Sequence, residues 1–125
     1  MIVHPDIIQG TDAWRRIRAG IPTASNFDQL VYSQLDKDGR LPVSKSAEKY
    51  ARKRRAERRT GEPEDGFISL DMKRGLELEL EAIGWYEFER GVDTTPVGFV
   101  TNDDATIGCS PDRFADEDGG VEIKA

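Results

Sequence analysis

Near Thr95 the chain changes its hydrophobic period, and this switch limits the possible folds more than any other feature. Before it, apolar residues recur at helical spacing; beyond it they alternate in short runs broken by turns. The runs are Val97–Val100, Thr106–Ser110 and Val121–Ala125, separated by Asn102-Asp103-Asp104 and by the stretch from Asp116 to Gly120. Helices followed by hairpin-linked strands predict an α+β domain, N-terminal helices and then an antiparallel β-meander. With 125 residues, 37% hydrophobic and 34% charged, the chain suits a single domain over 1–125.

Four helices are expected ahead of the switch. Thr11 is placed to cap a short one over Asp12–Arg18, which Gly20 ends. Phe27, Leu30 and Val31 predict a second from Asn26 to Leu35, capped within Thr23-Ala24-Ser25. Pro42 and Ser44 introduce a third from Lys45 to about Arg59, with a thin apolar face of Ala47, Tyr50, Ala51 and Ala56. The fourth spans about Leu70 to Arg90, between Ser69 and Gly91. Asp36 to Gly39 resembles the start of a calcium loop but fails as one, because Gly39 comes fourth instead of sixth and Ala47 stands where a glutamate is needed.

Several classes of function can be set aside. No apolar run is long enough to cross a membrane, and Met1 to Asp6 does not begin a secretory signal, so a cytosolic location is expected. Cys109 is the only cysteine, which precludes an internal disulfide. His4 is the only histidine and lies at the periphery of the sequence, leaving serine-histidine chemistry without support. The net charge of −6 would argue against a nucleic-acid partner if it were spread evenly. It is not: residues 45–60 carry eight bases and two acids, whereas residues 61–125 carry seventeen acids and five bases. Such a chain suits a protein that grips a polyanion at one place and gathers cations at another; a plainly solvated surface explains the same numbers.

The carboxylates narrow the reading. On the fourth helix, Met72, Leu76, Ile83 and Tyr86 fall within about 60° of Glu79, while Glu77 and Glu81 point roughly 160° away. A carboxylate on a core-facing stripe needs a partner, which a metal ion, an arginine or an ordinary structural ion pair would each supply. Further on, Gly108-Cys109-Ser110-Pro111-Asp112 precedes Glu122-Ile123-Lys124, and a hairpin between them would set Asp112 beside Val121–Lys124. Strand alternation then puts Glu122 and Lys124 on one face. Two carboxylates and an ammonium on one face suit divalent-cation binding and water activation, the requirements of phosphodiester hydrolysis; an exposed hairpin with a surface ion pair has the same sequence.

Five blocks, in order, resemble lambda exonuclease and the YqaJ-like phage recombinases: Gln9 to Gly20, Thr23-Ala24-Ser25, Arg74 to Glu79, Gly108 to Asp112, and Val121 to Lys124. The resemblance implies a restriction-endonuclease-like core and magnesium-dependent digestion of linear duplex DNA from the 5′ end, with manganese as the substitute metal. It implies metal binding by Glu79, Asp112, Glu122 and the Ile123 carbonyl, with Lys124 acting on the water. Arg18, Ser25 and Ser110 match the residues that receive the terminal 5′ phosphate. A further family carboxylate falls at Asn102, with Asp103 next to it. Arg52, Lys53, Arg54 and Arg55 of the basic helix are the expected DNA contacts. Partners implied are double-stranded DNA ends, a single-strand annealing protein and further copies of the chain. The family core continues past Lys124, so the chain is expected to be truncated at its C-terminal end. Two other readings fit these residues: a structure-specific or restriction-type endonuclease, and a non-catalytic module that binds DNA ends.

Overall fold

The computed structural model describes residues 1–31, 35–64, 70–116 and 119–124, and the side chains of all of these except 70–77. Three α-helices are present, α1 (Asp12–Arg18), α2 (Lys45–Thr60) and α3 (Leu70–Arg90), together with a 3-10 helix over Ala24–Gln29. The Thr11 hydroxyl caps α1 by accepting from the Trp14 amide at 3.3 Å, and Ser44 caps α2 by accepting from the Ala47 amide at 3.0 Å. Gly61 and Gly91 end α2 and α3 in the left-handed conformation, at φ +70° and +63°.

The second expected helix is replaced by the 3-10 turns. The Thr23 hydroxyl, which would have capped an α-helix, instead accepts from the Asn26 side-chain amide at 3.2 Å, while the Thr23 backbone is drawn into a bridge with Gly108. Phe27, Leu30 and Val31, whose spacing suggested the helix, are exposed. The rest of that expected helix, residues 32–34, lies outside the described residues, as does the proposed cap Ser69.

The strands divide over two antiparallel three-stranded sheets. In one, β3 (Phe99–Thr101) lies between β1 (Ile2–His4) and β4 (Gly108–Cys109); in the other, β5 (Arg113–Ala115) lies between β2 (Thr94–Pro96) and β6 (Gly119–Val121). The α+β class and the antiparallel pairing agree with the sequence reading. A single meander does not form, because the chain leaves β3 for β4 in one sheet and then enters the other at β5. Strand β1, too short for a periodic signal, was not expected at all.

Phe99 sits at the centre with no exposed surface, among Val97, Val100 and Ala115. Gly108 lies flat against it: a Cβ there would come within 2.4 Å of the Phe99 ring. Ala47 and Tyr50 bury one face of α2, and Ile83 is buried on α3. The 3-10 helix touches both β4 and α2, so the basic helix is held beside the strand that leads into Ser110.

Candidate active site

Asp112 and Glu122 are brought together by the β5–β6 hairpin. The Asp112 amide donates to the Val121 carbonyl at 3.1 Å, and the Asp112 carboxylate accepts from the Ile123 amide at 2.6 Å. Beyond β6 the burial alternates as expected, with Val121 and Ile123 half-buried and Glu122 and Lys124 exposed. The Lys124 ammonium donates to the Glu122 carboxylate.

Glu79 reaches this pair from α3. It is half-buried, its neighbours Leu78, Leu80 and Glu81 are exposed, and Ile83 one turn on is buried, so the helix turns Glu79 inward as its periodicity predicts. Met72, Leu76 and the other side chains of the upstream stripe fall outside the described residues. Burial raises the Glu79 pKa, and the negative charges of Asp112 and Glu122 raise it further, with Lys124 opposing. Lys124 is pushed up chiefly by its hydrogen bond and attraction to Glu122, and also by Asp112 and Glu79. These four side chains therefore share one electrostatic site, although 45 residues of sequence separate Glu79 from Lys124. Cys109 lies at its edge, its thiol pKa raised by burial and then by Glu122.

Three carboxylates that repel one another, balanced by one ammonium, have the charge to hold a divalent cation through hard oxygen donors. Among the described residues no group of three or more His, Cys, Asp or Glu side chains is placed to hold a metal ion. The donors are engaged internally instead, with Lys124 on Glu122 and the Ile123 amide on Asp112. The hard oxygen donors are nonetheless of the chemical type that divalent cations take.

Two of the three residues matched to phosphate binding, Arg18 and Ser110, meet at Trp14. Its indole N–H donates to the Ser110 hydroxyl at 2.9 Å and to the Gly98 carbonyl at 3.0 Å, and the Arg18 guanidinium lies over its ring at 3.8 Å. Ser25 follows Thr23, which bridges to Gly108 on the strand leading into Ser110, and the Gly108 amide donates to the Pro22 carbonyl at 3.0 Å. Trp14 is half-buried and links Arg18 to Ser110.

Other supporting residues carried no signal in the sequence. The Gln9 side-chain amide donates to the Val97 and Pro111 carbonyls, both at 2.8 Å, which fixes the turn just before Asp112. The Glu87 carboxylate accepts from both the amide and the hydroxyl of Thr94, and Arg113 donates to the same hydroxyl and to the Thr94 carbonyl. That chain ties the end of α3 to the strand following Asp112, and so helps to set Glu79 against it. Asn102 is committed to its turn, accepting from the Thr106 and Ile107 amides, and Asp103 pairs with the N-terminal ammonium.

The basic helix is less uniform than expected. The Arg54 side chain is only 13% exposed and pairs with Glu57 at 3.0 Å, so it faces inward, unlike the DNA contact that the sequence suggested. Lys53 is partly covered, 3.9 Å from Glu64, whereas Arg52 and Arg55 are exposed. Glu57, just 2% exposed, also accepts from the Gly20 amide at 2.8 Å and the Glu64 amide at 3.1 Å, fastening α2 to the end of α1 and to the loop after it.

An α+β fold with an acidic cluster between a helix and a hairpin defines a class of site, and comparison with known proteins gives its family. The chain belongs to the YqaJ-like viral recombinase domain family, whose model matches residues 13–125. It is similar to an alkaline exonuclease (LHK-Exo) from Laribacter hongkongensis, with 31% identity and a TM-score of 0.72, over 92% of this chain and 53% of that one. The crystal structure of LHK-Exo in complex with dAMP matches at 28% identity and a TM-score of 0.65, over 84% of this chain and 48% of that one. The chain thus spans about half the length of these solved relatives. No curated protein matches it.

Proposed function

We propose that this chain is the catalytic portion of a magnesium-dependent nuclease that digests linear double-stranded DNA from the 5′ end. The observation that carries the reading is the convergence of Glu79, Asp112, Glu122 and Lys124, from a helix and a hairpin distant in sequence, in a chain similar to an alkaline exonuclease.

In this reading Glu79, Asp112, Glu122 and the Ile123 carbonyl hold the metal. When bound, a divalent cation neutralises charge on the scissile phosphate and acidifies water. Lys124, its pKa raised by the surrounding carboxylates, stays an ammonium and so orients the water or phosphate by donating hydrogen bonds. Asp112, held by the Ile123 amide, presents its second oxygen in a fixed direction. Arg18, Ser25 and Ser110 receive the terminal 5′ phosphate, the guanidinium supplying charge and the hydroxyls direction. Trp14 keeps Arg18 and Ser110 in register.

The test uses linear duplex DNA bearing 5′-phosphate or 5′-hydroxyl ends, with closed circles as control, in magnesium and in chelator. The expected result is loss of the linear phosphorylated duplex only in magnesium, slowed at least roughly 100-fold by Glu122→Gln. Cutting of closed circles would assign the site to an endonuclease, and binding of ends without digestion would assign it to a non-catalytic module.

A further inference from the structure

Between the 3-10 helix and α2 lies an open cleft of about 560 Å³. Lys49, Arg52 and Lys53 line it from α2, Asn26 and Gln29 from the 3-10 helix, and Glu64 closes one side. Arg52 and Lys53 lie three and four residues after Lys49, and Ala56 lies four and three after them, so a single stripe of α2 faces the opening. Tyr50 forms part of the lining and is anchored, its hydroxyl accepting from the Thr23 amide at 3.1 Å. The inward Arg54 also contributes, its charge balanced by Glu57. Arg52 lies 4.0 Å from Glu48 and Lys53 3.9 Å from Glu64, and with Lys49 the bases outnumber these acids, a positive surface with side-chain amides opposite.

We propose that this cleft is a second phosphate site, one that takes an internal backbone phosphate of the DNA. The proposal rests on the DNA-end reading above. Its occupant follows from charge and position. The Asn26 side chain that lines the cleft also donates to the Ser25 hydroxyl at 3.3 Å, so cleft and terminal-phosphate socket are adjoining parts of one surface. A polyanion seated at Ser25 continues past Asn26 toward the cations of α2. Tyr50 is buried and offers no ring face for a base to stack on, so the contact is to phosphate and indifferent to sequence. The site is a place on α2, distinct from a general attraction to its many bases.

The salt dependence of binding distinguishes these alternatives, because each phosphate contact adds close to one to the slope of log affinity against log salt. The 125-residue chain would be titrated with a 5′-phosphorylated duplex in chelator, where hydrolysis cannot proceed, over a series of sodium chloride concentrations. Lys49→Gln and Arg52→Gln should each lower the slope, and the double substitution should lower it by about one, the contribution of the single phosphate held there. Both side chains are exposed, and unchanged circular dichroism and melting would show that the fold is intact. Unchanged slopes would overturn the proposal and leave the cleft to an acidic protein partner. Equal flattening by Arg55→Gln, whose side chain does not line the cleft, would overturn it in favour of diffuse attraction. Digestion in magnesium is read separately: lowered slopes without digestion would retain the cleft and reject the nuclease, and digestion with unchanged slopes would do the reverse.

Discussion

Trp14 contributes through its ring face and its N–H, and the two can be separated by one substitution. The face supports Arg18 at 3.8 Å, and the N–H directs the Ser110 hydroxyl. Trp14→Phe keeps an aromatic face and deletes the donor. If Ser110 helps to receive a terminal phosphate, the ratio of digestion rates on 5′-phosphate and 5′-hydroxyl ends should fall toward one, with the 5′-hydroxyl rate within a few-fold of the parent. A loss of net stability of about 1 kcal/mol for one hydrogen bond should accompany it. An unchanged ratio in a steady-state digestion assay would confine Trp14 to packing. The convergence of Glu79, Asp112, Glu122 and Lys124 was legible in the sequence because each belongs to a local block whose geometry the backbone period dictates. Gln9 was not, since its two acceptors lie 88 and 102 residues away and no local pattern encodes them.

The junction of α3 with β2 and β5 shows how elements are held at the site. Glu87 accepts two hydrogen bonds from Thr94, and these, with the nearby Arg113, hold its pKa below the ordinary glutamate value. A lowered pKa means that the folded state favours the carboxylate, so its stabilising contribution is present above the unfolded-state pKa. It is lost as pH falls through the lower, folded-state value. Glu87→Gln keeps an acceptor and removes the titration, so urea denaturation across the acid range should show a weaker decline in stability than the parent. Equal decline in both proteins would mean that the junction does not depend on the charge. The same elements explain the partial failure of the helix reading. The residues from Asn26 to Val31 have helical periodicity, yet Thr23 is engaged by Gly108 and Tyr50 from across the fold, and tertiary hydrogen bonds override the local preference.

At the scale of the whole molecule, the N-terminal segment joins the two sheets. Gln9 reaches Val97 and Pro111, and Trp14 reaches Gly98 and Ser110, so both span the break between them. Gly98 permits the approach: a Cβ there would lie 2.0 Å from the Ile7 carbonyl oxygen, closer than any backbone can tolerate. Gly98→Ala should therefore push this segment away and cost on the order of 1–3 kcal/mol, as overpacking does. Urea unfolding would measure it, and a change below about 0.5 kcal/mol, the scatter of ordinary surface substitutions, would show the segment to be loosely held. No helix among the described residues is long and apolar enough to cross a membrane.

The sequence by itself determined the helices α1, α2 and α3, the caps at Thr11 and Ser44, the inward turn of Glu79 and the pairing of Asp112 with the Glu122-Ile123-Lys124 stretch. All of these follow from interactions within a few residues or across one tight hairpin. The division into two sheets, the hold of Glu57 on the Gly20 amide, the link from Arg18 through Trp14 to Ser110, and the cleft beside α2 were decided by tertiary structure alone. Each joins residues far apart in the chain, where no local periodicity connects them. Only packing in space determines which buried donor meets which acceptor.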